Sequence, residues 1–169
     1  MKKLLLVTLV AVGLVGMALA LGNKVVVEAE NCASIVPTMQ KGTNSLASGG
    51  AYIEIPLHRP HATSEAGPAD QGRASYNVVI PSAGSYRFWG RANWYDACGN
   101  SFFLKIGNKP SVVLGQDGTC GRWHWVKGPV VELPAGAVQV IIQNREDGAK
   151  LDQFMFTKNL NYVPVRIEH

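Results

Sequence analysis

The chain has 169 residues, with 16 Lys and Arg against 12 Asp and Glu. Lys2 and Lys3 precede an uncharged apolar run from 4 to 20 that closes on Ala18-Leu19-Ala20. That pattern marks a removable export leader rather than a retained span. Without residues 1–20 the balance is 14 basic to 12 acidic, with Arg87, Arg91, Arg122 and Arg145 scattered, which excludes the clustered footprint of a nucleic-acid binder. Residues 21–169 are enough for one domain with a sizeable core, and the location implied is extracellular or periplasmic.

In chain order, short β-branched or aromatic segments separated by Gly, Pro, Asn and Asp predict strands near 24–30, 51–56, 74–80, 84–93, 100–106, 123–127, 129–133, 137–143 and 151–157. A polar connection from about Leu57 to Gly72, carrying His58 and His61, reads as a surface loop. Pro81-Ser82-Ala83-Gly84 and Leu133-Pro134-Ala135-Gly136 read as turns between neighbouring strands. Alternation turns Tyr86, Phe88 and Ala92 inward and Arg87, Trp89 and Arg91 outward; Val138, Val140 and Ile142 likewise point inward. The fold class predicted is all-β, an antiparallel sandwich or jelly roll.

Three cysteines in an exported chain imply an oxidising compartment. Cys98 and Cys120 lie in Gly- and Asp-rich loops and are expected to pair. Cys32 follows a strand and is expected as a small buried thiol, with a link between two molecules as the alternative.

Two stretches have metal-ligand chemistry. In Val27-Glu28-Ala29-Glu30, residues two apart on a strand share a face, so two carboxylates would project together. A solvated strand face explains this spacing better than a hard cation does. Asp152 opens the last strand after the Asp147-Gly148 turn and stands to join them if the terminal strands lie side by side.

At these residues the chain resembles a known family. The Glu28-Ala29-Glu30 opening, Ser48-Gly49-Gly50-Ala51-Tyr52-Ile53 and Gly84-Ser85-Tyr86-Arg87-Phe88-Trp89-Gly90-Arg91 come in the same order. Asn100-Ser101-Phe102-Phe103, Trp123-His124-Trp125, Leu133-Pro134-Ala135-Gly136 and Arg145-Glu146-Asp147-Gly148 with Leu151-Asp152 follow. From about 24 to 165 the sequence resembles the carbohydrate-binding modules of families 6 and 35, in the galactose-binding-like superfamily. The resemblance implies a jelly-roll sandwich and a structural calcium on Glu28, Glu30 and Asp152 with nearby carbonyls. It also implies a glycan held by loops at one end of the sandwich.

A sugar offers an apolar face to an aromatic ring and a rim of hydroxyls to polar side chains. Arg91-Ala92-Asn93-Trp94-Tyr95-Asp96 has that composition, and the resemblance places the loop of Arg145 and Asp147 near the sugar. The expected contacts are Asn93, Trp94, Tyr95 and Arg145, with Trp123 and Asp147 beside them. Trp123 and Trp125 share one strand face, and at least one of them is expected in the core.

No nucleophile-elbow motif is present, His58 and His61 have no third partner, and Glu28 with Glu30 is better explained by solvent or calcium than by glycoside hydrolysis. The function expected is therefore non-catalytic glycan binding. A secreted structural or adhesive subunit, acting through protein contacts or self-assembly, is the alternative.

Overall fold

A computed structural model describes residues 23–57 and 67–169. The leader and the two loop histidines lie outside them. Eleven strands run in chain order among the described residues: β1 (Lys24–Glu28), β2 (Ser34–Val36), β3 (Gln40–Thr43), β4 (Ala51–Glu54), β5 (Arg73–Ile80), β6 (Gly84–Asn93), β7 (Ser101–Ile106), β8 (Val112–Gly115), β9 (His124–Leu133), β10 (Gly136–Gln143) and β11 (Lys150–Thr157). They form two antiparallel sheets. One has the order β3-β4-β11-β6-β9 with β1 also on β11; the other is β2-β5-β10-β7-β8. Among the described residues no helix is long and apolar enough to cross a membrane.

The alternation predicted for the long strands holds except at Trp89, expected outward with Arg87 and Arg91 but buried where the pairing of β6 with β9 shifts register. Tyr86, Phe88 and Ala92 are buried on β6, and Val138, Val140 and Ile142 on β10. Between the layers, Tyr76 of one sheet meets Phe154 of the other edge-on at 4.8 Å, and Phe88 stacks on Phe154 at 5.6 Å. Burying each such ring contributes roughly 1.5–3 kcal/mol. Both predicted turns join strands consecutive in the chain, β5 to β6 and β9 to β10, and each crosses from one sheet to the other.

Two departures follow from irregular backbone. The segments expected at 123–127 and 129–133 are one strand, β9, whose pairing with β6 shifts register between Arg87 and Trp89. Gly128-Pro129 falls opposite that shift. β9 is the last strand of its sheet, where proline is tolerated. The strand expected at 24–30 stops at Glu28, and Ala29–Asn31 makes a 3-10 turn.

That turn positions the polar end of the sheet. β1 and β4 lie on one edge of β11, β4 against Lys150 and Leu151 and β1 against Gln153 to Thr157. Asp152 falls at the junction. It is also the point where pairing with β6 slips, Leu151 facing Ala92 and Gln153 facing Arg91. A residue inserted in this way is re-aimed away from the regular alternation.

Candidate functional site

The junction gathers carboxylates. Asp152 is fully buried; its Oδ1 accepts from the Ser48 amide at 2.8 Å, and its Oδ2 accepts from the Arg91 guanidinium. Ser48 Oγ donates to Glu28 Oε1 at 2.8 Å, and Gln153 Nε2 donates to the same oxygen at 2.8 Å. Glu30 lies on the 3-10 turn that follows β1, outside the strand alternation that was to pair it with Glu28. Burial pushes the Glu30 carboxyl up to about 6, and the nearby charges of Glu28 and Asp152 push it the same way. Burial also raises Asp152, outweighing the Arg91 contact that opposes it.

Whether a hard cation fits is decided by the oxygens left over. Glu28 Oε2 and Glu30 Oε2 are buried without a hydrogen-bond partner. Gly49, at φ +60°, lies beside Glu30: a Cβ there would stand in ordinary contact with Glu30 Oε1, at 3.4 Å. Two carboxylate oxygens thus suit an oxygen-seeking ion. The third carboxylate is engaged by Arg91, and among the described residues no three His, Cys, Asp or Glu side chains stand together as a ready ligand set.

Arg91 leads from this cluster to the surface. Its guanidinium lies 5.4 Å from the Trp123 ring centroid and borders an open hollow of about 470 Å³. Trp123, Trp125, Arg122 and the Asp117–His124 pair complete most of its lining, with Pro164 and Val165 as one wall. Both tryptophans are half-buried, so neither belongs to the core. Tyr52 meets Trp123 edge-on at 5.6 Å, and Trp125 Nε1 donates to the Arg166 carbonyl at 2.7 Å. The wall is pinned by Glu168, whose carboxylate accepts from Lys24 Nζ and from the Tyr162 hydroxyl, each at 2.6 Å.

Trp94, expected as a stacking platform, has no exposed surface. It packs 5.8 Å from Phe102 and 6.0 Å from His124, and its Nε1 donates to Asp117 Oδ1 at 3.1 Å. Asp117 Oδ2 pairs with His124 Nε2 at 2.9 Å. The Gly121 amide donates to the Trp94 carbonyl at 2.8 Å. Trp94 is therefore the anchor beneath the loop that carries Arg122 and Trp123. The signal for this was present: inward positions 86, 88 and 92 on β6 continue in register to 94.

Tyr95 is 55 % exposed and stands on a separate rim. Gly148, at φ +77°, lies against it: a Cβ on Gly148 would come 2.7 Å from Tyr95 Cβ and 2.9 Å from Leu57 Cδ2. Asn93 and Asp147 are half-buried, and the Asp147 carbonyl packs on Gly99 of the Tyr95 loop. Arg145 is not an open contact. It bonds to Glu146 and the Ser101 hydroxyl and lies over Phe103, while Glu146 Oε2 accepts from the Asn100 amide at 2.9 Å and Ser101 Oγ at 2.7 Å. The expected contacts thus divide among the hollow (Trp123), the rim (Tyr95, Asp147), the end of β6 (Asn93, opposite Lys150) and internal structure (Trp94, Arg145).

The cysteines also differ from expectation. Cys32, Cys98 and Cys120 are all free, so the Cys98–Cys120 bridge is not formed. Backbone contacts bring the two loops together in its place: Cys120 pairs with Trp94, and the Gly121 amide bonds to the Trp94 carbonyl at 2.8 Å. Cys32 packs against the core, with its thiol 3.8 Å from the Glu30 carbonyl, an arrangement that does not support a link to a second molecule.

By sequence, no family model and no curated protein matches the chain. Solved structures do match in shape. A family 35 carbohydrate-binding module from Clostridium thermocellum aligns at TM-score 0.60 and 20 % identity, over 78 % of this chain and 97 % of the module. The architecture is that of family 35 and family 6 carbohydrate-binding modules. A family 6 module from Cellvibrio mixtus lichenase 5A, in complex with cellotriose, aligns at TM-score 0.58 and 24 % identity over 79 % of this chain and 96 % of the module. The exo-β-1,3-galactanase of Phanerochaete chrysosporium aligns at 0.62 and 19 %, over 80 % of this chain but only 29 % of its own length. The chain therefore corresponds in size to a module and spans under a third of that enzyme.

Proposed function

We propose that this chain is an exported, non-catalytic glycan-binding module that takes a sugar segment in the Trp123–Trp125 hollow. The observation that carries the reading is the hollow itself: two half-open indoles beside the Arg91 and Arg122 guanidiniums in about 470 Å³. Aromatic area with a few placed polar groups is what a pyranose needs, its C–H face on the ring and its hydroxyls on the fork. Among the described residues the one carboxylate in the lining, Asp117, is turned to Trp94 and His124, so they offer no carboxylate pair for glycoside hydrolysis there. The leader ending at Ala20 supports export. Calcium is proposed as a structural ion on Glu28 and Glu30, with Asp152 as third carboxylate; its role would be to neutralise buried charge at the junction.

Electrophoresis through gels containing β-glucan, galactan, mannan or xylan tests the reading. Retardation in at least one gel is expected, and its loss in Trp125→Ala. Absence of retardation in every gel overturns it. Concentration-dependent self-association in sedimentation, without retardation, would favour the adhesive subunit.

A further inference from the structure

We propose that the hollow selects glycans bearing an anionic substituent, a sulfate ester or a carboxylate, which the Arg122 guanidinium pairs while the sugar ring lies on the indoles. The inference names the substrate class of the hollow, and it rests on the glycan-binding reading.

Four titratable side chains line the hollow: Arg91, Arg122, Asp117 and His124. Three of them are engaged by neighbours. Arg91 pairs with the fully buried Asp152 and donates to the Leu46 carbonyl from both terminal nitrogens, at 3.4 and 3.3 Å. Asp117 Oδ1 accepts from Trp94 Nε1 and from the Thr119 amide, each at 3.1 Å, and its Oδ2 lies 2.9 Å from His124 Nε2. The second ring nitrogen of His124, Nδ1, lies 3.0 Å from the Arg122 carbonyl. Arg122 differs from the other three. Its side chain is exposed, and among the described residues no carboxylate pairs with it. Its backbone is nevertheless held: the carbonyl meets His124, and the amide of Gly121 before it donates to the Trp94 carbonyl at 2.8 Å. The hollow therefore carries an unmatched positive charge on a fixed stretch of chain. Lys127, exposed and two residues beyond Trp125 on the same face of β9, adds to that field.

A neutral sugar accepts hydrogen bonds from Arg122 but leaves its charge unmatched. A sulfate or a carboxylate supplies the counter-charge together with two oxygens for the planar fork. The indoles, Pro164 and Val165 are low-dielectric walls, and a cleft of one sign between such walls concentrates its field on the ligand. Among the described residues no carboxylate of the lining competes for the guanidinium, since Asp117 is turned to Trp94 and His124. Stacking on the rings thus recognises the sugar, and Arg122 selects among sugars by charge. A charge-assisted pair gained in this way corresponds to about a tenfold change in affinity. Because Arg122 is exposed, the gain falls as salt rises.

The test is retardation of the full exported chain in paired gels: agarose against carrageenan, a sulfated galactan, and neutral xylan against glucuronoxylan. Wild type is expected to bind the charged member of at least one pair about tenfold more tightly than the neutral member. Preference within the galactan pair alone assigns the sulfate ester, and within the xylan pair alone the carboxylate; either result supports the proposal. Arg122→Gln is expected to lose the preference and keep neutral binding. Arg122→Lys, which keeps the charge but not the fork, is expected to fall between the two. Lys109→Gln removes the same charge from an exposed turn of the other sheet and is expected to behave as wild type. Equal losses in Arg122→Gln and Lys109→Gln overturn the proposal, because general attraction then suffices. Retardation in charged gels that persists in Trp125→Ala also overturns it, because charge then binds without the ring. Equal retardation by both members of every pair overturns the selection alone and leaves glycan binding standing. No retardation in any gel, charged or neutral, overturns it together with the glycan reading.

Discussion

The hollow beside β9 and the rim around Tyr95 both present aromatic rings at one end of the sandwich, but they are supported differently. In the hollow the indoles are held by side chains: Arg91 over Trp123, Tyr52 at its edge, and the Arg166 carbonyl on Trp125. At the rim Tyr95 rests on backbone, with Gly148 and Gly99 close against it. The rings of the hollow can therefore be retuned by a neighbouring charge, whereas the rim is fixed by chain geometry. Trp94 lies between the two. It is adjacent to Tyr95 in sequence, yet through Asp117 it belongs structurally to the loop that borders the hollow.

Removing that anchor is the strongest way to break the comparison. Trp94→Ala empties a fully buried site and is expected to cost about 3–5 kcal/mol in urea unfolding, with loss of glycan retardation as its loop slackens. Gly148→Ala forces a Cβ into Tyr95 and Leu57 at a left-handed backbone position and should cost about 1–3 kcal/mol in the same measurement, with retardation in the hollow kept. Trp125→Ala should weaken glycan binding by at least tenfold, about 1.4 kcal/mol, while Tyr95→Ala changes it less than threefold. The reverse ranking in gel retardation would move the site to the rim.

The smallest effect is the pH dependence of the chelated protein. The carboxyl of Glu30 sits higher in the folded chain, at about 6, than in the unfolded one, so the folded state binds that proton more tightly. Stability from this group is present below the unfolded value near 4.5 and is lost as pH rises through about 6. Scanning calorimetry should show the melting temperature falling between pH 4.5 and 7 in chelator. Calcium should reduce that fall, and Glu30→Gln should flatten it. A melting temperature that rises over the same interval would contradict the crowding of carboxylates at the junction.

Much of the sandwich was legible because its long strands are regular. Period-two alternation on β6 and β10 names the buried residues directly, and the Pro- and Gly-bearing turns mark the strand ends. β2, β3 and β8, of three or four residues each, were not legible, since so few residues carry no period and their pairing partners are distant in sequence. β9 read as two segments because Gly128-Pro129 interrupts the pattern while its pairing with β6 continues past the bulge.

The sequence by itself determined an all-β chain, its main strands, the carboxylate-bearing segments and the aromatic richness of one end. Those properties are local: they follow from side-chain type and spacing along one strand. Tertiary structure alone decided that Trp94 is an anchor, that Arg145 is turned onto Ser101 and Phe103, and that Arg91 stands between Asp152 and Trp123. Each depends on which strand lies beside which, and on a one-residue slip at Asp152 that turns a carboxylate towards a guanidinium 61 positions away.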